Sequence, residues 1–414
     1  MFRATYSPKI EDLKNKPVVL LYSGGLDTST MLVWLQENYK CEVISCTVSI
    51  GQKGKDFKQL EEKAYRLGVK KHYTIDAREE FVENYLFPAI KANALYEGAY
   101  PLHSALSRPL LAKYAIEIAE KENAVAIAHG CTGKGNDQVR INITAFTLNP
   151  KIKIIQPVVE WGFLRDQEIE YAHSHGIPIP EKSVYSIDEN IFGRSIECGE
   201  LEFPDKEPPA DAFEWTTDPR EAPNDPEYVE LTFKRGIPIK LNGESMNGYE
   251  LIQKLNEIAG KHGVGRIDHL EDRIVGLKSR ELYENPAAVV LIKAHKDLEK
   301  GVCTSQEVDF KNMVDQRWAY MCYAGLWLNP LMDDLNAFIN EVNKKVNGTV
   351  KLKLFKGNAE VVGRKSKWLL YDYKLATYEG ISTFNEKASY GFIELWGLQT
   401  KMSYQIKKQN ENED

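Results

Sequence analysis

A glycine-rich segment, Ser-Gly-Gly-Leu-Asp-Thr-Ser at residues 23–29, has residue types suited to binding phosphate. It follows an apolar run at residues 18–22 and precedes an amphipathic stretch, so we predict the order strand, loop, helix. Glycines let backbone N–H groups approach an anion, and a helix N-terminus adds partial positive charge. Asp27 would repel a polyanion unless a cation lay between them, so we predict that Asp27 coordinates Mg²⁺. The alternative is a tight turn before a capped helix.

A second polar, glycine-rich segment reads His-Gly-Cys-Thr-Gly-Lys-Gly-Asn-Asp-Gln-Val-Arg at residues 129–140, after another apolar run. Asp137 could pair with an ammonium group, and Thr132 and Asn136 could bond a carboxylate. Arg140 could hold another carboxylate with two hydrogen bonds. These residues suit a zwitterionic ligand, although a solvated surface loop is the commoner fate of each residue alone.

Two common nucleotide motifs are absent from the sequence. No GxxxxGK[ST] occurs, and no GxGxxG follows a predicted strand. The sequence therefore disfavours ordinary γ-phosphate transfer and dinucleotide binding.

A parallel sheet is predicted to position both loops. Apolar runs alternate with amphipathic stretches, which indicates strands at 18–22, 42–48 and 124–128, and helices at 28–37, 57–67, 78–95 and 108–121. In a doubly wound sheet, ligands lie beyond the carboxyl ends of the strands. Both loops follow such ends.

The remaining chain predicts a mixed α+β domain. Its predicted strands are 229–241, 289–294 and 349–362, its predicted helices are 248–259 and 329–346, and a proline-rich irregular loop covers 203–226. The polar tail after Gln405 is expected to fray.

Composition excludes several classes of protein. A length of 414 residues with 43% hydrophobic residues predicts two domains and an appendage. The net charge is −7, and acidic and basic residues are well mixed along the chain, so extended nucleic acid is not an expected partner. The six cysteines form no CxxC pair and are expected to be reduced. Apolar runs are strand-sized and the N-terminus lacks the apolar stretch of a secretory signal, so we predict a cytoplasmic protein without membrane spans.

The two loops together resemble a known family. Ser-Gly-Gly-Leu-Asp-Thr-Ser is similar to the pyrophosphate-binding loop of N-type ATP pyrophosphatases, and residues 130–140 resemble the aspartate- and nucleotide-binding segment of the argininosuccinate synthase family. Further matches lie at 94–97, 185–190, 193–195, 260–268, 278–280 and 283–284. The resemblance implies an α/β fold, with a doubly wound nucleotide-binding domain (1–172), a mixed α+β synthetase domain (173–383) and a C-terminal oligomerisation arm and polar tail (384–414).

The resemblance also implies roles for individual residues. The implied ATP contacts are Leu21, Tyr22, Ser23, Gly24, Gly25, Leu26, Asp27, Thr28, Ser29, Val48, Gly130 and Lys134. The implied citrulline contacts are Tyr100, Asn136, Arg140, Ser186, Ser195, Glu271 and Tyr283, and the aspartate contacts are Thr132, Asn136 and Asp137. Ser104 is added to the expected citrulline contacts because of a departure from the family pattern. Asp27, Asp137 and Arg140 form the expected catalytic set, with Asp27 as the metal ligand. Without the resemblance, a salt bridge to Arg273 or Arg266 is the favoured reading of Glu271.

The implied reaction joins citrulline and aspartate, consumes ATP and proceeds through citrullyl-AMP, in a homotetramer that uses Mg²⁺. One departure concerns substrate binding: relatives often have Gly-Thr-Ser where this chain has His103, Ser104 and Ala105, so a hydroxyl is missing at Ala105. Ser104 is expected to take over its hydrogen bond. Two alternatives stay open, namely another AMP-forming ligase of the superfamily and a non-catalytic nucleotide-binding paralogue.

Overall fold

The structure is a computed structural model that describes residues 5, 6, 8–178 and 185–411. The strands of its first part are β1 (Thr5–Tyr6), β2 (Pro17–Leu21), β3 (Glu42–Ser49), β4 (Lys71–Asp76), β5 (Ala126–Ala128) and β6 (Lys153–Ile155). The helices are α1 (Ile10–Leu13), α2 (Leu26–Tyr39), α3 (Phe57–Arg66), α4 (Arg78–Phe81), α5 (Phe87–Lys91), α6 (His103–Lys121), α7 (Asp137–Leu148), α8 (Pro157–Trp161) and α9 (Arg165–Ser174), with a π-helical turn at Val82–Leu86 between α4 and α5.

These strands form one parallel sheet in the order β1-β6-β5-β2-β3-β4. Val18, Val19 and Leu20 of β2 are all fully buried, so both faces of the strand are covered. Such continuous apolar runs are typical of parallel sheets between helices. The neighbours β2 and β5 end at the same edge, so the two glycine-rich loops lie side by side, and the predicted doubly wound fold is confirmed.

The second part is mixed, as predicted. Its strands are β7 (Ser186–Asn190), β8 (Gly193–Glu197), β9 (Glu227–Lys234), β10 (Ile237–Leu241), β11 (Glu244–Ser245), β12 (Arg266–Asp272), β13 (Lys278–Glu284), β14 (Gly348–Phe355) and β15 (Asn358–Lys365). Its helices are α10 (Gly248–Lys261), α11 (Pro286–Val302), α12 (Ser305–Tyr323) and α13 (Pro330–Asn343). Two antiparallel sheets result, in the orders β11-β10-β9-β14-β15 and β12-β13-β8-β7.

One strand prediction here was wrong, and two others missed a turn. Residues 289–294 lie inside the helix α11, whose apolar side chains are buried on several faces, and a short apolar run does not distinguish a buried helix from a strand. Each of the two long predicted strands, 229–241 and 349–362, is a hairpin. Gly236 and Gly357 supply the positive φ that the two turns require.

The chain divides into two compact units, Met1–Trp368 and Leu369–Asp414. The second contains α14 (Tyr373–Ala376), α15 (Ala388–Trp396) and α16 (Leu398–Asn410). The tail expected to fray after Gln405 is helical to Asn410, because Lys407, Lys408 and Gln409 have good helix propensity. The outer limits of the predicted domains, residues 1 and 414, lie outside the described residues. Within the described ranges, no helix has both the length and the apolar character to cross a bilayer.

Candidate active site

The first glycine-rich loop leads from β2 into α2, with Gly25 as the residue before the helix. Gly24 has a φ of 76°, and a Cβ atom there would lie 1.9 Å from Leu60 Cδ2, so both the backbone angle and the space require glycine. The first N–H groups of α2 have no intrahelical acceptor and point out of the helix end. Ser23 Oγ and Thr28 Oγ1 lie 3.1 Å apart beside them. The loop therefore presents several hydrogen-bond donors to an anion.

Two lysines that the sequence did not single out hold this loop. Lys55 Nζ donates to the carbonyl oxygen of Ser23 at 3.0 Å, and Lys63 Nζ donates to that of Gly24 at 2.9 Å. Burial lowers the pKa of both amines. They satisfy the two loop carbonyls and add positive charge beside the loop.

Asp27 lies at the N-terminus of α2 with half of its side chain exposed. Its carboxylate accepts a hydrogen bond from Arg165 Nη1 at 2.7 Å, and the same nitrogen lies 2.9 Å from Glu168 Oε2. Burial, followed by the charge of Asp27, raises the pKa of Glu168 to about 7. No cluster of three or more acidic, histidine or cysteine side chains that could hold a metal occurs in the described residues. Mg²⁺ commonly binds one carboxylate together with substrate phosphates, which Asp27 suits.

A cavity of about 660 Å³ collects the residues predicted to bind the two amino acids. Its walls include Tyr100, Ser104, Thr132, Asn136, Asp137, Arg140, Ser186, Ser195, Glu271 and Tyr283, and also Gly130 and Lys134 from the predicted ATP set. The loop between β5 and α7 forms one wall, and the sheet β12-β13-β8-β7 forms another. Tyr283 pairs with Ser195 across β13 and β8, so both side chains point to the same face.

A neighbouring cavity of about 310 Å³ lies over the first glycine-rich loop. Of the predicted ATP contacts it is lined by Leu21, Ser23, Gly25, Leu26, Asp27, Thr28 and Gly130. Tyr22, Ser29 and Val48 are buried and do not line it, and Tyr22 Oη lies 3.3 Å from Ser29 Oγ. Gly24 does not line the cavity but shapes the loop that does.

A chain of ion pairs crosses the larger cavity. Arg140 Nη1 donates to Asp137 Oδ1 at 2.7 Å, and Arg108 Nη2 donates to Asp137 Oδ2 at 2.7 Å. Arg108 Nη2 also donates to Asp188 Oδ2 at 2.5 Å, and Ser104 Oγ donates to the same oxygen. Although burial raises it, the two guanidinium groups lower the pKa of Asp137 below its usual value. Asp137 is therefore ionised at neutral pH.

Two of the side chains predicted to bind substrate, Asp137 and Arg140, can still form further hydrogen bonds in this arrangement. The side chain of Asp137 is 28% exposed, and a carboxylate has about four lone-pair sites, so it can also accept an ammonium group. Arg140 Nη2 is buried without a partner in the described part of the chain. It is a donor available to a carboxylate.

Glu271 is held by two tyrosines rather than by the arginines considered from the sequence. Tyr283 Oη and Tyr323 Oη each donate to its carboxylate at 2.6 Å. Asn136 Nδ2 donates to Tyr323 Oη at 2.7 Å, which joins Glu271 to the second loop. Tyr323 was not found from the sequence, because no local pattern connects the end of α12 with this cavity.

Sequence reasoning also missed an acidic pair, Glu197 and Glu281, on the strand wall. Arg273 Nη2 bridges them, at 2.9 Å from Glu197 Oε2 and 2.6 Å from Glu281 Oε1. Burial, followed by the charge of Glu281, raises the pKa of Glu197 to about 7. A signal existed: Glu197 lies two residues after Ser195 and Glu281 two before Tyr283, so strand alternation places all four on one face.

We expect the stability of the E197Q variant relative to wild type to increase as pH rises from 5 to 8. The unfolded glutamate has a pKa of about 4.3. The folded value is higher, so the contribution of Glu197 to stability is present below the unfolded pKa and is lost as pH rises through about 7. Thermal unfolding of both proteins across this range measures the difference. E202Q, at an exposed glutamate of the same cavity, is the control. A stability difference between E197Q and wild type that stays constant from pH 5 to 8 would contradict a raised pKa of Glu197.

The residues that depart from the family pattern are buried. Ala105 is fully buried and does not line the cavity, whereas Ser104 does. His103 is also fully buried, and burial lowers its pKa to about 4, so it is neutral. The expected replacement of the missing hydroxyl by Ser104 stays a prediction, and in this structure that hydroxyl bonds Asp188.

Proteins similar in sequence to this chain belong to the family whose contacts the two cavities collect. The sequence models described as "Arginosuccinate synthase N-terminal HUP domain" and "Arginosuccinate synthase C-terminal domain" match residues 17–178 and 185–403. The chain is 59% identical over 389 residues to argininosuccinate synthase of Pyrococcus furiosus, which covers 94% of each chain. It is 53% identical to that of Oceanobacillus iheyensis, over 94% of each chain, and 52% identical to that of Bacillus subtilis, over 96% of this chain and 99% of the relative. With two matching domains, near-complete coverage of these relatives and a cavity that collects the expected contacts, the chain belongs to the argininosuccinate synthase family.

Proposed function

We propose that this protein ligates L-citrulline and L-aspartate to L-argininosuccinate and cleaves ATP to AMP and diphosphate. The observation that carries the proposal is the pair of adjoining cavities. One is lined by the whole set of residues expected to bind the two amino acids, and the other lies over the glycine-rich loop. They share Arg108, Gly130 and Cys131, so a group in the larger cavity can reach a phosphate held in the smaller.

The first step forms a bond between the ureido oxygen of citrulline and the α-phosphorus of ATP. The bond from that phosphorus to the diphosphate oxygen breaks, and the electron pair leaves with diphosphate. The donors of the loop and the N-terminus of α2 stabilise the charge that develops on this leaving group. Lys55 and Lys63 hold the loop in the required conformation.

The second step forms the new carbon–nitrogen bond. The amine of aspartate, after losing a proton, attacks the activated ureido carbon, and AMP leaves with its electron pair. Asp137 orients the ammonium group, Thr132 and Asn136 bind aspartate, and Arg140 holds the carboxylate of citrulline. Tyr100, Ser104, Ser186, Ser195, Glu271 and Tyr283 complete the citrulline site. Holding the reactants in line supplies much of the rate acceleration, since no covalent enzyme intermediate is needed.

Asp27 is the residue that would hold Mg²⁺, and the ion would supply positive charge to neutralise the triphosphate. Arg165, which pairs with Asp27 at 2.7 Å, would then release this carboxylate and retain Glu168 as its partner. Lys134 of the second loop adds positive charge on the side of the larger cavity.

We also propose a cytoplasmic homotetramer with the domain limits 1–172, 173–383 and 384–414. The helices α15 and α16 support the oligomer, because their apolar side chains are exposed. Phe392, Ile393, Leu395 and Trp396 are each more than 60% exposed. Such a patch is typical of a surface that another protein chain covers.

The test is to incubate the protein with ATP and Mg²⁺ and to measure diphosphate release with and without citrulline. We expect release to require citrulline, and argininosuccinate to form only when aspartate is also present. Citrulline labelled with ¹⁸O in the ureido group should transfer the label to AMP, because that oxygen becomes bonded to the α-phosphorus.

Other outcomes distinguish the alternatives. Formation of ADP would contradict the proposed attack at the α-phosphorus. Diphosphate release that ignores citrulline would indicate another AMP-forming ligase, and nucleotide binding without release would indicate a non-catalytic paralogue.

A further inference from the structure

Arg108 belongs to neither glycine-rich loop and is not among the predicted substrate contacts. It lies in the second turn of α6, and its side chain is 11% exposed. Among described residues that line both cavities, it alone carries a charge, since Gly130 and Cys131 are the others. A neutral thiol and a glycine cannot balance a negative charge that crosses from one cavity to the other.

The proposed reaction places its reacting phosphorus at this shared wall. Citrulline lies in the larger cavity and the β- and γ-phosphates lie over the loop, so the α-phosphate must lie where the cavities meet. Negative charge on its non-bridging oxygens persists through the transition state of phosphoryl-type transfer. A planar guanidinium is well suited to bind such oxygens.

The hydrogen bonds of Arg108 leave it able to take a further acceptor. Its Nη2 serves both Asp137 and Asp188, and its Nη1 donates to Ser107 Oγ at 3.2 Å. Its Nε is buried and has no partner in the described part of the chain. Buried donors are almost always satisfied, so this guanidinium has hydrogen-bonding capacity left for one further acceptor, such as a ligand oxygen.

The carboxylates around Arg108 set how much of its positive charge is neutralised at each stage of the reaction. Without substrate, Asp137 and Asp188 both neutralise it. When the ammonium of aspartate binds Asp137, that carboxylate is shared with a third cation, and more of the positive charge of Arg108 becomes available to a phosphate.

We infer that Arg108 binds a non-bridging oxygen of the α-phosphate and stabilises it while citrulline displaces diphosphate. This inference rests on the proposed function. In the step, the ureido oxygen–phosphorus bond forms as the bond to diphosphate breaks, and Arg108 keeps its proton throughout. Arg108 is thus a catalytic residue that contacts the reacting group, whereas Arg140 contacts only the amino-acid side of the site.

The two diastereomers of adenosine 5′-O-(1-thiotriphosphate) test this contact. Sulfur in place of the oxygen that Arg108 binds weakens the hydrogen bond, so wild type should prefer one diastereomer in citrulline-dependent diphosphate release. R108K should lower the rate with ATP by about a hundredfold to a thousandfold, the usual effect of losing one donor to a developing anion. R108K should also change the ratio of the two diastereomer rates by about tenfold or more, which a structural role alone would not do.

R140K is the matched control, because Arg140 bonds the same Asp137 but does not line the smaller cavity. Its diastereomer ratio should equal that of wild type, whatever its rate. An R108K ratio equal to the wild-type ratio overturns the inference. Wild type that releases no diphosphate with citrulline overturns the proposed function instead, so the two failures are distinguishable.

A second variant keeps the inference testable if R108K does not fold. D188N removes one of the two carboxylates that neutralise Arg108, on a residue that is 39% exposed. More net positive charge at the α-phosphate should lower KM for ATP several-fold at low ionic strength, and added salt should reduce the difference. An unchanged KM for ATP would contradict the inference.

Discussion

Replacing Asp137 with Asn is expected to lower kcat/KM for aspartate about a hundredfold to a thousandfold, and to lower it more than kcat/KM for citrulline. The carboxylate bonds Arg108 and Arg140, and in the proposed mechanism it also receives the ammonium of aspartate. Truncating one member of a desolvated charge pair typically costs about 2–5 kcal/mol, and each 1.4 kcal/mol is about tenfold. Steady-state kinetics with each substrate varied in turn measures the effect.

D188N provides a matched comparison, because Asp188 pairs with the same arginine but is more exposed than Asp137. We expect its kcat/KM for aspartate to fall by less than about tenfold, as for partly exposed pairs. Since the pKa of Asp137 lies below its usual value, the effect of D137N should be constant from pH 6 to 9. A D137N enzyme that folds and retains kcat/KM for aspartate within threefold of wild type would contradict the assigned role.

The first part of the fold could be predicted from the sequence because its signals are local. The apolar runs of β2, β3 and β5 and the intervening amphipathic helices define a parallel sheet, and parallel strands bring their carboxyl ends to one edge. That rule predicts that the loops at residues 23–29 and 129–140 lie together, as they do. The failures at 289–294, 229–241 and 349–362 lie where an apolar run fits more than one structure, or where a two-residue turn interrupts it.

The charge network of the site could not be predicted, because it depends on contacts between distant elements. Arg108 on α6, Asp137 at the start of α7 and Asp188 on β7 meet only after the sheet β12-β13-β8-β7 packs against the nucleotide-binding part. Neither the periodicity of α6 nor the sequence around Asp188 specifies that meeting. Family resemblance supplied the expected substrate contacts, but it did not indicate Arg108, Glu197, Glu281 or Tyr323.

Replacing Glu284 with Gln is expected to lower the free energy of unfolding by about 3–5 kcal/mol, as for a buried charge pair that loses one partner. This is the largest loss of stability that we expect among the variants proposed for this protein. Glu284 is fully buried at the end of β13. Its carboxylate accepts from the backbone N–H groups of Glu214, Trp215 and Thr216 at 3.0, 2.9 and 2.8 Å, and from Arg194 Nη1 at 2.9 Å. All of these partners are donors, so a glutamine NH₂ group would face donors with no acceptor.

E284Q is expected to lose stability because Glu284 anchors an irregular segment of the chain. The proline-rich segment at residues 203–226 is irregular, as predicted, so no sheet ladder satisfies its backbone, and one carboxylate takes over that role for three consecutive N–H groups. E214Q is the matched control, because Glu214 pairs with the same Arg194 at 3.0 Å but its side chain is 67% exposed, and such pairs contribute about 0–1 kcal/mol. Denaturant unfolding should therefore show a large shift for E284Q and almost none for E214Q. Because Tyr283, a proposed citrulline contact, precedes Glu284 on the same strand, E284Q should also raise KM for citrulline. Equal unfolding midpoints for E284Q and E214Q would contradict the anchoring role.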